Sequence, residues 1–192
     1  MKSFPPNAFA FSTGKLGHLV FENPDEATGP KLGYTLEINF EPFELEDEEV
    51  TTSVWLSGIP LPAKSWRDVA STSCDDSALN AIDGSMRLFN AMNPVFVDKL
   101  TFGESDGQTI EVTFEGEADF RMHGDEDYGT LPLNLSVKLD IDNLRIGTSI
   151  EKRLGGDPEA IAAEIQEVVD LSAYGELTKV PGGVVFPIST TD

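Results

Sequence analysis

Cysteine and histidine are almost absent from this chain, and basic residues are few beside the acidic ones. Cys74 is the single cysteine among 192 residues, so no disulfide can form within the chain and nothing adapts it to an oxidising compartment. The only histidines are His18 and His123. Two histidines and one cysteine, far apart in sequence, do not supply the paired spacing of a zinc site, nor a base placed beside a serine or cysteine nucleophile. Lys and Arg number 13 against 34 Asp and Glu, a net charge of −21. That field repels nucleic-acid phosphates and anionic membranes and attracts cationic partners. Solubility, or adaptation to a salty cytoplasm, accounts for the same charge without a partner.

Long apolar runs are missing too. No stretch approaches the roughly 18 apolar residues of a membrane span. Residues 1 to 15 lack the continuous apolar core of a secretory signal, which favours the cytoplasm. What is present is an ordinary globular composition, with 40% hydrophobic residues and 17 glycines, enough for one core in a chain of this length. A single domain over 1–192 is expected, leaving the oligomeric state open.

The first 33 residues carry Pro5, Pro6, Pro24 and Pro30 together with Asn7, Gly14, Gly17, Asn23 and Gly29. They read as an irregular arm holding at most a short strand at His18–Glu22. From Tyr34 the pattern is strictly alternating: Tyr34, Leu36, Ile38 and Phe40 share one face. Past Pro42 the phase flips to Phe43 and Leu45, the mark of a bulge or bend. Val50 to Ile59 reads as a strand covered on both faces. Residues 77–92 fit helix or strand, with a strand favoured after Gly84 and a turn at Asn93-Pro94.

Val95–Phe102 and Thr109–Phe120 form the clearest hairpin, with Phe102 expected opposite Ile110 and Gly107 in the turn. Leu131 to Ile146 is a long strand whose phase flips at Asp142-Asn143, where a bulge is expected. Asp157-Pro158 starts a helix carrying Ile161, Ile165, Val168 and Val169 on one stripe, expected to run to about Tyr174. A short strand at Val184–Ile188 follows the Pro181-Gly182-Gly183 turn. The fold class expected is α+β and mainly antiparallel β: a curved sheet or sandwich-like arrangement of seven to nine strands, with one helix over about 158–174 packed on it.

Gly103-Glu104-Ser105-Asp106-Gly107 matches the G-x-S-x-G pattern of hydrolase nucleophiles. Its context is strand-turn-strand rather than strand-turn-helix, so the hairpin accounts for its glycines. Asp119, His123, Asp125, Glu126 and Asp127 form the densest set of oxygen and nitrogen ligands. They lack the alternating spacing of an EF-hand and read as a solvated loop. No catalytic residue, metal site or cofactor is therefore assigned.

The function expected is a non-enzymatic, acidic binding protein for a basic macromolecular partner, of the inhibitor, toxin-neutralising or adaptor type. Nucleic acid and membrane are not expected partners. Contacts are expected where carboxylates are densest, at Glu44, Glu46, Asp47, Glu48 and Glu49 and at Asp119, Asp125, Glu126 and Asp127. The alternatives are a small-ligand-binding β domain with a pocket inside the curved sheet and a hydrolase built on two separated carboxylates.

Overall fold

A computed structural model of the chain describes residues 2–23, 25, 28–74, 76–122 and 126–189, with the backbone alone at Met122 and Glu126. Eleven strands and three short helices follow one another in it. The strands are β1 (Phe11–Asn23), β2 (Thr28–Phe40), β3 (Phe43–Leu45), β4 (Glu48–Val50), β5 (Ser53–Ile59), β6 (Asp83–Leu88), β7 (Ala91–Ser105), β8 (Thr109–Asp119), β9 (Thr130–Ile146), β10 (Thr178–Val180) and β11 (Gly183–Phe186). The helices are α1 (Asp76–Leu79), α2 (Thr148–Arg153) and α3 (Pro158–Ile165).

Seven of the strands close into a barrel, in the order β1-β2-β5-β6-β7-β8-β9 and back to β1. This corrects the expectation of an α+β fold with a curved sheet or sandwich-like arrangement and one helix: the chain is mostly β, with 55% strand and 16% helix. Every neighbouring pair is antiparallel except β1 with β9, which is parallel. An odd number of up-and-down strands forces that exception, because the first and seventh run the same way. β9 is long enough to serve three partners. Residues 130–140 pair with β8, the stretch from Asp140 to Ile146 pairs with β1, and Leu144–Ile146 also pairs with β11.

The bulge expected at Asp142-Asn143 is present. Leu16 lies opposite Ile141 and His18 opposite Leu144, so two residues of β9 face the single Gly17 of β1. The extra residue keeps Ile141, Leu144 and Ile146 all buried across the phase flip. Leu16, Leu36, Ile38, Val54, Leu56, Met86, Leu100, Phe114 and Leu139, all fully buried, make the barrel interior a packed core.

Residues 11–33 are not an irregular arm. Most of them form β1 and β2, paired along almost their whole length. Gly14 and Gly17 lie inside β1, where they allow close approach: a Cβ on Gly14 would lie 2.6 Å from the Glu37 carbonyl oxygen, and one on Gly17 2.5 Å from Thr35 Oγ1. Pro30 falls where the β1–β2 register shifts, a position that needs no ladder donor.

The helix after Asp157 is also shorter than expected. Asp157 caps it, accepting from the amides of Glu159 and Ala160, but α3 ends at Ile165. Asp170 donates its amide to the Lys64 carbonyl at 2.9 Å, and its carboxylate accepts from the Ser172 amide at 3.0 Å. A residue that caps a fresh 3₁₀ turn at Leu171–Ala173 cannot continue a helix through the same position. Ile161, Ile165 and Val169 are nonetheless buried as the stripe required.

Smaller corrections concern turns and faces. The β6–β7 turn falls at Phe89-Asn90 with Phe89 at φ +49°, and Asn93-Pro94 lies inside β7. In the β7–β8 hairpin Phe102 faces Val112 rather than Ile110, because the strands continue to Ser105 opposite Ile110 with a bulge between. β5 is covered on one face only, leaving Trp55 41% exposed.

Candidate interaction surface

One end of the barrel is closed by aromatic side chains from distant parts of the chain. Phe4 stacks on Tyr128 at 4.7 Å between ring centres, and lies 5.3 Å from Phe120 and 4.9 Å from Phe9. Phe9 in turn meets Phe40 and Phe43 edge-on. Burial of these rings draws the N-terminal segment across the end of the barrel and brings the β3–β4 hairpin to it.

That hairpin is amphipathic. Phe43, Leu45 and Val50 are buried, while Glu44, Glu46, Asp47, Glu48 and Glu49 are all exposed. Glu46 and Asp47 form its turn with φ of +54° and +66°. Left-handed conformations at two successive carboxylate residues are what a two-residue hairpin turn of matching twist demands. Glu44 and Glu49 stand directly opposite each other.

The structure joins this hairpin to the second acidic segment. The Lys2 ammonium pairs with Glu46 and lies 3.7 Å from Asp127 Oδ2. The Lys2 amide donates to the Asp127 carbonyl at 2.7 Å, and the Tyr128 hydroxyl donates to Glu46 Oε1 at 3.0 Å. The Lys2 contact holds the Glu46 carboxyl below the usual carboxylate range. Carboxylates some eighty positions apart in sequence thus share one end of the barrel.

Asp119, next to Phe120 of the same closure, is engaged differently. It is 6% exposed, and its carboxylate accepts from Arg121 Nε and Nη2 at 2.9 and 2.7 Å and from the Arg121 amide at 2.9 Å. Arg121 holds its carboxyl down to about 2. These bonds to Arg121 lie within its own turn. Asp125 and His123 lie outside the described residues, as does the side chain of Glu126.

At the opposite end the barrel is capped by residues 61–74 and by the segment after α3. The Tyr34 hydroxyl reaches the carbonyls of Ala63 and Ser65, each at 3.2 Å, and Trp66 Nε1 donates to the Ala173 carbonyl at 3.0 Å. His18 is buried here beside the rings of Tyr34 and Tyr174, with no hydrogen-bond partner for either ring nitrogen among the described residues. Burial pushes its imidazole down to about 4 against the pull of Asp142. Its sequence offered no sign of this, since the neighbouring glycines suggested a loop.

Ser105, the serine of the G-x-S-x-G match, is held by its own turn. Its hydroxyl donates to the Thr109 carbonyl at 2.9 Å and accepts from the Gly107 amide at 3.1 Å. On the outer surface, a depression of about 300 Å³ lies over Gly17, bordered by Lys15, Glu37, Trp55, Asp142 and Arg145. Among the described residues no group of three or more His, Cys, Asp or Glu side chains is placed to hold a metal ion. No helix there is long and apolar enough to cross a membrane.

Fold and surface together define a closed seven-stranded barrel with a filled lumen, aromatic closure at one end and carboxylates gathered around that closure. No protein-family model, curated protein or solved structure matches the chain.

Proposed function

We propose that the protein is a non-enzymatic binding protein for a basic macromolecular partner, of the inhibitor, toxin-neutralising or adaptor type. The observation that carries this reading is the convergence of the β3–β4 hairpin and Asp127 on one barrel end, within a chain of net charge −21. Glu44, Asp47, Glu48 and Glu49 project there from a ribbon whose other face is anchored in the core, so their charge is presented on a firm support. Such a surface attracts a cationic protein and speeds its encounter, with a rate that falls as salt rises. A small-ligand reading loses support from the packed lumen and keeps only the surface depression over Gly17, at the low end of ligand-site volumes.

The test is co-purification from the native host at low salt, run in parallel with a variant in which Glu44, Asp47, Glu48 and Glu49 are replaced by lysine. A basic protein retained by the native chain, released by salt and lost with the variant is the expected result. A retained partner that is acidic or neutral, or retention indifferent to the four substitutions, ends the reading.

A further inference from the structure

Along β7 the alternation of side chains turns Met92, Pro94 and Phe96 outward, with Met92 53% and Phe96 55% exposed. Trp55 of β5 lies opposite Ser85 of β6, and Ser85 opposite Pro94. The indole thus stands two strand spacings, roughly 10 Å, from Pro94 on the same outer face. Single exposed apolar side chains are ordinary on a protein surface, but a contiguous set marks an interface. Met92 and Phe96, four residues apart on one strand, are the most exposed large apolar side chains among the described residues.

The surroundings indicate what covers them. Glu117 lies directly opposite Phe96, and Glu37 opposite Trp55. Arg87 lies opposite Met92, its Nε donating to the Phe89 carbonyl at 3.2 Å. Beyond Arg87 a depression of about 260 Å³ is bordered by Glu48, Glu49, Thr51 and Asn90, and the Thr52 hydroxyl bonds to the Arg87 carbonyl. The apolar strip therefore ends at Arg87, and the acidic hairpin lies on the far side of that depression. A second copy, carrying another −21 charges, is repelled from such a face, and a cationic chain is drawn to it.

We propose that this face docks a cationic protein segment that presents apolar anchors. Its anchors lie against Met92, Phe96 and Trp55, and its basic residues lie over Glu117 and the Glu48-Glu49 edge. The inference rests on the basic-partner reading above and adds the place of contact and its apolar half. Exposed carboxylates act mainly on encounter, while buried apolar anchors set how long a complex lasts. A partner with charge alone would leave quickly.

Three dye-labelled synthetic peptides of equal length provide the test, read by fluorescence anisotropy at low and physiological ionic strength. One carries Arg with Leu and Phe anchors, the second the same Arg with Ser at the anchor positions, and the third the same anchors with Glu for Arg. The first binds about tenfold or more tightly than the second, as burial of two or three anchors implies, and the third does not bind. Met92→Ser with Phe96→Ser removes the advantage of the first peptide. Both positions are more than half exposed, and thermal unfolding checks that the variant remains folded. Glu117→Lys, as an independent variant, slows association of both Arg peptides.

If both Arg peptides bind alike and the double variant changes neither, the strip is not the docking surface, and the basic-partner reading stands without it. If neither Arg peptide binds at low salt, that reading falls together with this inference. A Glu peptide that binds as well as the Arg peptide overturns the cationic occupant. So does a dimer of the protein alone, seen by sedimentation and abolished by the double variant.

Discussion

Leu16 of β1 lies opposite Ile141 of β9 in parallel register, and this pairing, between the first and last strands of the barrel, closes it. Two residues before Leu16, Gly14 sits where β1, β2 and β9 meet. A Cβ there would come within 2.5 Å of Leu139 Cδ2 and 2.6 Å of the Glu37 carbonyl oxygen. Gly14→Ala should therefore destabilise the fold by about 1–3 kcal/mol, the usual cost of overpacking. Urea unfolding measures it, and an unchanged midpoint would mean that the seam is looser than described.

The β7–β8 turn depends on Gly107, at φ +87°. A β-branched residue resists that conformation, so Gly107→Val should cost about 1–3 kcal/mol. Ser105→Ala removes the bonds to Thr109 and Gly107 and should cost about 1 kcal/mol, with partner binding unaffected. Loss of binding by a folded Ser105→Ala protein would overturn the structural role given to this serine.

Ile165 is fully buried at the end of α3. Truncation to alanine leaves a cavity there and should cost about 2–4 kcal/mol. A measured cost near zero in thermal and chemical unfolding would place α3 outside the core.

His18 makes stability depend on pH. Its folded-state value near 4 lies below the ordinary 6.5, because burial disfavours the imidazolium. Between these values the unfolded chain binds a proton that the folded chain does not. The contribution is therefore complete above about pH 6.5 and is lost as pH falls toward 4, by roughly 3 kcal/mol. His18→Leu should flatten that part of the stability curve relative to the native chain, carboxylate effects being common to both. Parallel curves for the two proteins between pH 6.5 and 4 would show that His18 is not held neutral by burial.

Alternation located much of β2, β8 and β9, because a strand with one face in a core must repeat every second residue, while β-branched and aromatic composition on both faces located β5. Alternation also placed the bulge at Asp142-Asn143, since two buried residues three apart cannot share a regular strand face. Asp157-Pro158 announced the start of α3 by capping chemistry that is local. The two acidic segments were legible as charge. Turn chemistry around Gly107 also paired β7 with β8, but no local pattern contains which distant strands meet. Gly14 and Gly17 looked like breaks in the chain but serve close approach to β2 and β9 residues far away in sequence. That the helix does not run on to Tyr174 reflects the Asp170 amide reaching Lys64 and its carboxylate capping Leu171–Ala173, contacts that the helical stripe does not announce. Whether the sheet stayed open or closed depended on β1 reaching β9 across the barrel, and the odd strand number only made that pairing parallel. The acidic hairpin met Asp127 because buried aromatic rings drew Lys2 and Phe4 between them. Burial and long-range pairing are properties of the assembled chain, so tertiary structure alone decided the barrel, the gathering of the carboxylates and the exposure of Trp55, Met92 and Phe96.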